Sequence, residues 1–340
     1  MDRNKLQEIK GLLDRAVAEK EIAGANVLIW HKGEEVFYGE SGFGDLENRR
    51  PIRRDSLFRL YSMTKPVTGA AAMLLLERGL IDLAEPVSRY IPAFKYAKVW
   101  EEGGGYREAK REVTLKDLLG MSSGLPYGDR SGGPVQKAVE EIFAGGNLST
   151  RGFAEAVAGC GLLFDPGERF MYGTSADVMG AVIEAASGMK FSTFLEENFF
   201  RPLGMAETGF YIDEGKAERL AKVYSCRDGL CRLYEFNHLD IENRPFSPPA
   251  FESGGAGLIS TADDYMKFAS MLLHGGRTPE GRQILREKTI AYFTASQLPS
   301  WQRWSFRDWY GLLGHGYGNF MRVLEDPGQA VLLGTPGEYG

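Results

Sequence analysis

From Val67 to Glu77 the chain reads Val-Thr-Gly-Ala-Ala-Ala-Met-Leu-Leu-Leu-Glu, an Ala- and Leu-rich run without a polar stripe. A helix that is apolar all round has no face for water and must be enclosed by other elements. The fold is therefore built in layers around this segment, and whatever opens it sits near the middle of the molecule. An extended stretch, Leu57-Phe58-Arg59-Leu60-Tyr61, leads into Ser62-Met63-Thr64-Lys65-Pro66 and so into the helix. At 340 residues the chain is long enough for two lobes or one large domain around such a core.

The flanks give the rest of the pattern. Leu6, Ile9, Leu12, Leu13, Ala16 and Val17 recur at helical spacing, so residues 3–20 are expected to form an amphipathic helix. Ala25–His31 and Glu35–Gly39, separated by Lys32-Gly33-Glu34, read as a hairpin. The middle third alternates short helical runs with loops. Thr114 and Ser149 or Thr150 are the expected N-caps there, and Ser175–Ala186 is a helix stopped by Gly188. Ser260 or Thr261 caps a helix ending at Leu273, with Gly275 as its C-terminal glycine. Tyr317–Leu324 and Ala330–Leu333 close the chain as two strands joined by Glu325–Gln329. These elements predict an α+β fold: an antiparallel sheet built from both termini and flanked by helices, with an inserted mostly helical region. The division is 1–85 with 256–340 for the sheet lobe and 86–255 for the helical one.

Composition excludes several classes. The net charge is −6 with both signs interleaved, so no basic stripe exists to meet a phosphate backbone and no nucleic-acid partner is expected. No window reaches the roughly 18 apolar residues of a membrane span, and the charged N-terminus is unlike a signal peptide, so a cytoplasmic protein is expected. Cys160, Cys226 and Cys231 are then expected to be thiols, although an Asp228-Gly229 turn would set Cys226 and Cys231 opposite each other. His31, His238 and His315 show no metal-ligand spacing, and no metal and no cofactor are expected. Trp301–Trp309 offers an aromatic lid, but ordinary packing is the expectation.

A serine hydroxyl is a weak nucleophile unless a base lies within hydrogen-bond reach. Ser62 and Lys65 satisfy this, because residues i and i+3 of a helix share a face and burial lowers a lysine pKa toward the neutral amine. At a first helical turn the serine's own N–H can also face a developing oxyanion. Two decoys compete. Ser187-Gly188-Met189-Lys190 repeats the letters at a helix end, where the pair does not share a face. Gly120-Met121-Ser122-Ser123-Gly124 matches a nucleophile elbow but follows a helix rather than a strand, which is the wrong context.

With these residues in place the chain resembles the serine β-lactamase-like superfamily, and within it the class C β-lactamase-related esterases and acyltransferases. Phe58–Lys65 resembles the nucleophile motif, Leu118–Tyr127 the cleft loop, Asp165–Tyr172 the segment bearing a catalytic tyrosine, and Gly257–Asp264 a characteristic helix start. The resemblance implies that Tyr172 joins Ser62 and Lys65 in proton transfer, and that Tyr127 and, with Tyr172-Gly173-Thr174 in place of Tyr-x-Asn, Asp177 belong to the substrate-binding side of an esterase. It implies a carboxylesterase on small esters working through an acyl-enzyme, with an ester or amide as its small-molecule partner. The alternatives are a β-lactamase, a D-amino-acid peptidase, an acyltransferase, or a non-catalytic ligand-binding relative. The family's third motif, Lys-Thr-Gly, His-x-Gly or Trp-x-Gly, is missing: His274-Gly275-Gly276 reads as a helix cap, and the sequence stops at Gly340 before that strand. On this reading the chain is truncated, and weak or absent activity is expected of it. Oligomeric state is not specified by the sequence.

Overall fold

The computed structural model describes residues 3–234, 245–307 and 311–340. Helix α1 (Arg3–Ala18) packs on a three-stranded antiparallel sheet of β1 (Gly24–His31), β2 (Glu34–Asp45) and β3 (Arg50–Pro51). The short strand β4 (Phe58–Arg59) then delivers the chain to α2 (Thr64–Glu77), which is buried without interruption from Thr64 to Leu75. This is the enclosed helix the Ala/Leu run demands.

The inserted region carries β5 (Lys98–Trp100), β6 (Tyr106–Glu108), α3 (Leu115–Leu119), α4 (Pro134–Gly145), α5 (Thr150–Cys160) and α6 (Ser175–Ser187). The expected caps are made: Thr114 and Asp117 form a reciprocal capping box, Ser149 accepts from the Gly152 N–H at 3.0 Å, and Thr261 accepts from that of Asp264 at 3.2 Å. Each such cap contributes about 1 kcal/mol. Helix α6 and the helix Glu287–Phe293 enclose α2, and one contiguous apolar cluster runs from Leu60 through the inserted region to Met321.

The hairpin of β7 (Tyr224–Arg227) and β8 (Leu230–Leu233) corrects the expectation of three thiols. Asp228 and Gly229 both take positive φ, 52° and 71°, and the resulting two-residue turn places Cys226 directly opposite Cys231, with Cα atoms 4.0 Å apart. The two are joined as a disulfide, and only Cys160 is free. Local turn geometry overrides the compartment argument here.

Strand β9 (Ile259–Ser260) pairs with β4 and so ties the last third of the chain to the segment before Ser62. The chain end also differs from expectation. Tyr317–Leu324 is not one strand but a hairpin, β10 (His315–Gly318) and β11 (Met321–Leu324), turned by Asn319 and Phe320 at φ 53° and 68°. Ala330–Leu333 forms no strand; β11 instead bonds to the 337–340 segment, through Leu324 N to Glu338 O at 2.7 Å and Arg322 N to Gly340 O at 3.0 Å. The N-terminal sheet and the β10–β11 pair are separate ladders within the mixed helix-and-sheet fold.

In the aromatic stretch Phe306 is buried against Phe170 and Tyr317, while Trp301 and Trp304 are exposed. His238 and Trp309 lie outside the described residues. Among the described residues no helix is long and apolar enough to cross a membrane.

Candidate active site

Strand β4 ends at Arg59, and Tyr61 then takes φ 46°, a left-handed conformation that an L residue with a large side chain rarely adopts. This bend throws Tyr61–Met63 into one 3₁₀ turn that runs directly into α2. Met63 N donates to Leu60 O at 3.0 Å and the Tyr265 hydroxyl donates to Met63 O at 2.9 Å, so the turn is held from both sides. Ser62 stands on it exposed, while Lys65, one turn on, is 1% exposed.

The Lys65 amine lies 3.2 Å from Ser62 Oγ, 3.0 Å from the Tyr127 hydroxyl and 2.8 Å from the Gly255 carbonyl, which can only accept. It also sits 4.5 Å above the Tyr172 ring. These three partners saturate an ammonium; after deprotonation the lone pair is free to face the Ser62 hydroxyl. Burial brings the Lys65 pKa down to about 8, against the opposing attraction of Asp177. Burial also pushes the Tyr127 phenol well above its usual range, so it stays a neutral hydroxyl.

A single loop holds the Lys65 amine in place. Ser253 Oγ donates to Asp177 at 2.5 Å, Gly255 N donates to the same carboxylate oxygen at 3.0 Å, and Thr68 Oγ1 on α2 donates to Gly254 O at 2.7 Å. Leu258 N donates to Thr64 Oγ1 at 3.1 Å. Gly254 has to be glycine, because a Cβ would stand 2.3 Å from Ala176 O. Asp177 is 1% exposed and its carboxylate is bonded to this loop, so it lies behind the lysine, away from the surface.

Tyr127 and Tyr172 come from segments 45 residues apart but are stitched together. Met171 N donates to Met121 O at 2.7 Å, Thr174 Oγ1 to Pro126 O at 3.3 Å, and Ser123 and Ser175 share a hydroxyl contact of 2.8 Å. The rings meet at 5.8 Å between centroids.

The structure thus gathers Ser62, Lys65, Tyr127 and Tyr172 at one place, with Asp177 one layer behind. It separates the decoys. Ser122 is buried with its hydroxyl toward Asp117, and Ser187 donates back to Ile183 O at 2.6 Å as a helix-end residue. Sequence reasoning missed the Gly255 carbonyl and the direct Tyr127 contact to the amine. The only local signal was the glycine density of Gly254-Gly255-Ala256-Gly257. Among the described residues no three His, Cys, Asp or Glu side chains converge as a metal site requires.

Comparison with known proteins gives the family. An uncharacterized protein of Mycobacterium tuberculosis (strain CDC 1551 / Oshkosh) is 33% identical over 327 residues, 94% of this chain and 79% of its own. Esterase EstB of Burkholderia gladioli is 29% identical, over 98% of this chain and 82% of its own. Among solved structures, EstCE1, a hydrolase with promiscuous acyltransferase activity, superposes with a TM-score of 0.81 at 27% identity, covering 98% of this chain and 87% of its own. The Beta-lactamase family matches residues 9–340, and this chain belongs to it.

Proposed function

We propose that the chain is a serine hydrolase that acts on small esters through a covalent acyl-enzyme. The observation that carries this is the buried Lys65 amine 3.2 Å from an exposed Ser62 hydroxyl, with a pKa near enough to neutrality for proton transfer. A lysine with a pKa of about 8 is neutral in about one molecule in ten at pH 7. In that fraction Ser62 Oγ bonds to the carbonyl carbon as its proton passes to Lys65 Nζ. The carbonyl π pair moves to the oxygen, where the N–H at the first turn stabilises it. Collapse breaks the bond to the alkoxy group, which takes a proton from Tyr172, and Lys65 returns its proton to the phenolate. Water then resolves the acyl-enzyme by the reverse path.

The site spans the two proposed lobes, with Ser62 and Lys65 on the 1–85 part and Tyr127 and Tyr172 on the 86–255 part. In this reading Asp177 positions the lysine instead of binding substrate. The preference for an ester over a lactam rests on the likeness to EstB and EstCE1, together with Tyr172-Gly173-Thr174. A second reading, transfer of the acyl group to an alcohol, is favoured by the acyltransferase activity of EstCE1. Release of p-nitrophenol from p-nitrophenyl butyrate, measured beside nitrocefin and a D-Ala-D-Ala peptide, tests the assignment. Turnover of the ester alone is expected; turnover of the lactam or peptide alone would replace it. Added butanol that diverts product to butyl butyrate would establish the transferase reading.

A cytoplasmic location is our reading of the odd cysteine count in a large chain, and the Cys226–Cys231 crosslink pulls against it, because cytosolic thiols are kept reduced. Titration of the native protein as isolated decides between them: three thiols favour the cytoplasm, one favours an oxidising compartment.

A further inference from the structure

Tyr317, in the middle of β10, is 3% exposed, and its hydroxyl has no hydrogen-bond partner. Its ring is fixed by Phe170 and Phe306, with centroids at 4.9 and 5.7 Å. The hairpin that carries it is pinned to the helix Glu287–Phe293, which packs on the nucleophile helix: Asn319 donates to Tyr292 O and Phe293 O at 3.1 and 3.0 Å. Gly69 on α2 leaves room for Asn319 O, which would stand 2.7 Å from a Cβ there. A buried hydroxyl without a partner costs free energy that phenylalanine at the same place would not incur. The hydroxyl therefore serves something other than packing.

Its surroundings say what. Phe170, whose ring packs on Tyr317 at 4.9 Å, stands two residues before Tyr172, and Tyr317 interacts electrostatically with both Tyr172 and Tyr127, so this third phenol lies close to the cluster around Lys65. Burial holds it well above the usual phenol range, so it is a neutral donor that lacks an acceptor. Tyr172 is the residue assigned to the leaving group, and a neighbour of Tyr172 lies on the alcohol side of a bound ester.

Building on the serine-hydrolase reading above, we propose that the Tyr317 hydroxyl is a specificity-determining donor for an ether or hydroxyl oxygen carried by the leaving alcohol. The preferred substrates are then esters of oxygenated alcohols rather than of plain alkyl alcohols. A matched pair tests this: 2-methoxyethyl acetate and n-butyl acetate differ by one oxygen in place of a methylene. The wild type should favour the methoxyethyl ester roughly tenfold in kcat/KM, mostly through KM, as one hydrogen bond to a bound substrate gives. Tyr317→Phe should bring the ratio close to one, mostly by raising KM for the methoxyethyl ester, and it should melt at or above the wild-type temperature. Equal rates on both esters in the wild type, a preference that survives the substitution, or a lower melting point in Tyr317→Phe each overturns the proposal. Fluorophosphonate labelling of Ser62 without turnover of either ester overturns it alone. Neither labelling nor turnover is the separate failure of the hydrolase reading, which takes this proposal with it.

Discussion

Ser62 with Lys65 and Ser187 with Lys190 carry the same letters at the same spacing, and the fold makes opposite use of them. The first pair straddles a 3₁₀ turn that continues into a helix, so the amine rises under the hydroxyl at 3.2 Å and is sealed from water. In the second pair Gly188 takes φ 69° and ends α6. Ser187 turns back to its own helix, and Lys190 leaves in another direction to pair with Glu252 at 2.6 Å. Spacing therefore carries chemistry only where the backbone between the two residues stays helical and the second residue is buried. The Lys190–Glu252 pair still bears on the site, because Glu252 opens the loop that ends at the Gly255 carbonyl on Lys65.

The comparison can be broken most directly at the two lysines. Lys65→Met should lower kcat/KM on the reactive ester about 10³-fold or more, as removal of a general base does, while Lys190→Met should stay within about twofold. Comparable losses in the two would mean that the helix-end pair is also catalytic. The second substitution should act on stability instead. It leaves Glu252, 1% exposed, without its cation, and a loss of about 2 kcal/mol in urea unfolding is expected, less than for a fully enclosed pair because Lys190 is half exposed. A smaller effect comes from Tyr127→Phe, which removes one of the three partners of the amine and should cost roughly tenfold in kcat. An unchanged rate would leave the handling of the proton to Tyr172.

The pH dependence sharpens the contrast further. Activity requires the neutral amine, so kcat/KM should rise with pH and level off above about 8. Asp177 favours the ammonium, and Asp177→Asn keeps an acceptor for Ser253 and Gly255 while removing that charge. The Lys65 pKa then falls, and the rising limb moves to lower pH. A limb that stays in place would show that another group governs it.

The parts of this site that were legible in the sequence are the local ones. The enclosed helix, its serine and lysine, and the caps at Thr114, Ser149 and Thr261 each depend on residues within a turn of one another, and periodicity and capping chemistry report such neighbours. The parts that were not legible join distant segments. Tyr127 reaches Lys65 across 62 positions and Gly255 across 190, and no pattern within a window records either contact. The chain end misled for a related reason. Asn319 and Phe320 turn the chain with no glycine between them, so eight residues of strand-like composition read as one strand, and the buried place of Tyr317 on the resulting hairpin went unseen. Cys226 and Cys231 show the converse case: the Asp228-Gly229 turn was a local signal set aside in favour of a general argument about compartments.

The central claim is that one serine of the two Ser-x-x-Lys pairs is a nucleophile. Intact-protein mass spectrometry after fluorophosphonate treatment of the wild type, Ser62→Ala, Ser187→Ala and Ser122→Ala measures it. One adduct on the wild type, kept in Ser187→Ala and Ser122→Ala and absent from Ser62→Ala, is the predicted result. An adduct that persists in Ser62→Ala would place the nucleophile elsewhere and contradict the account.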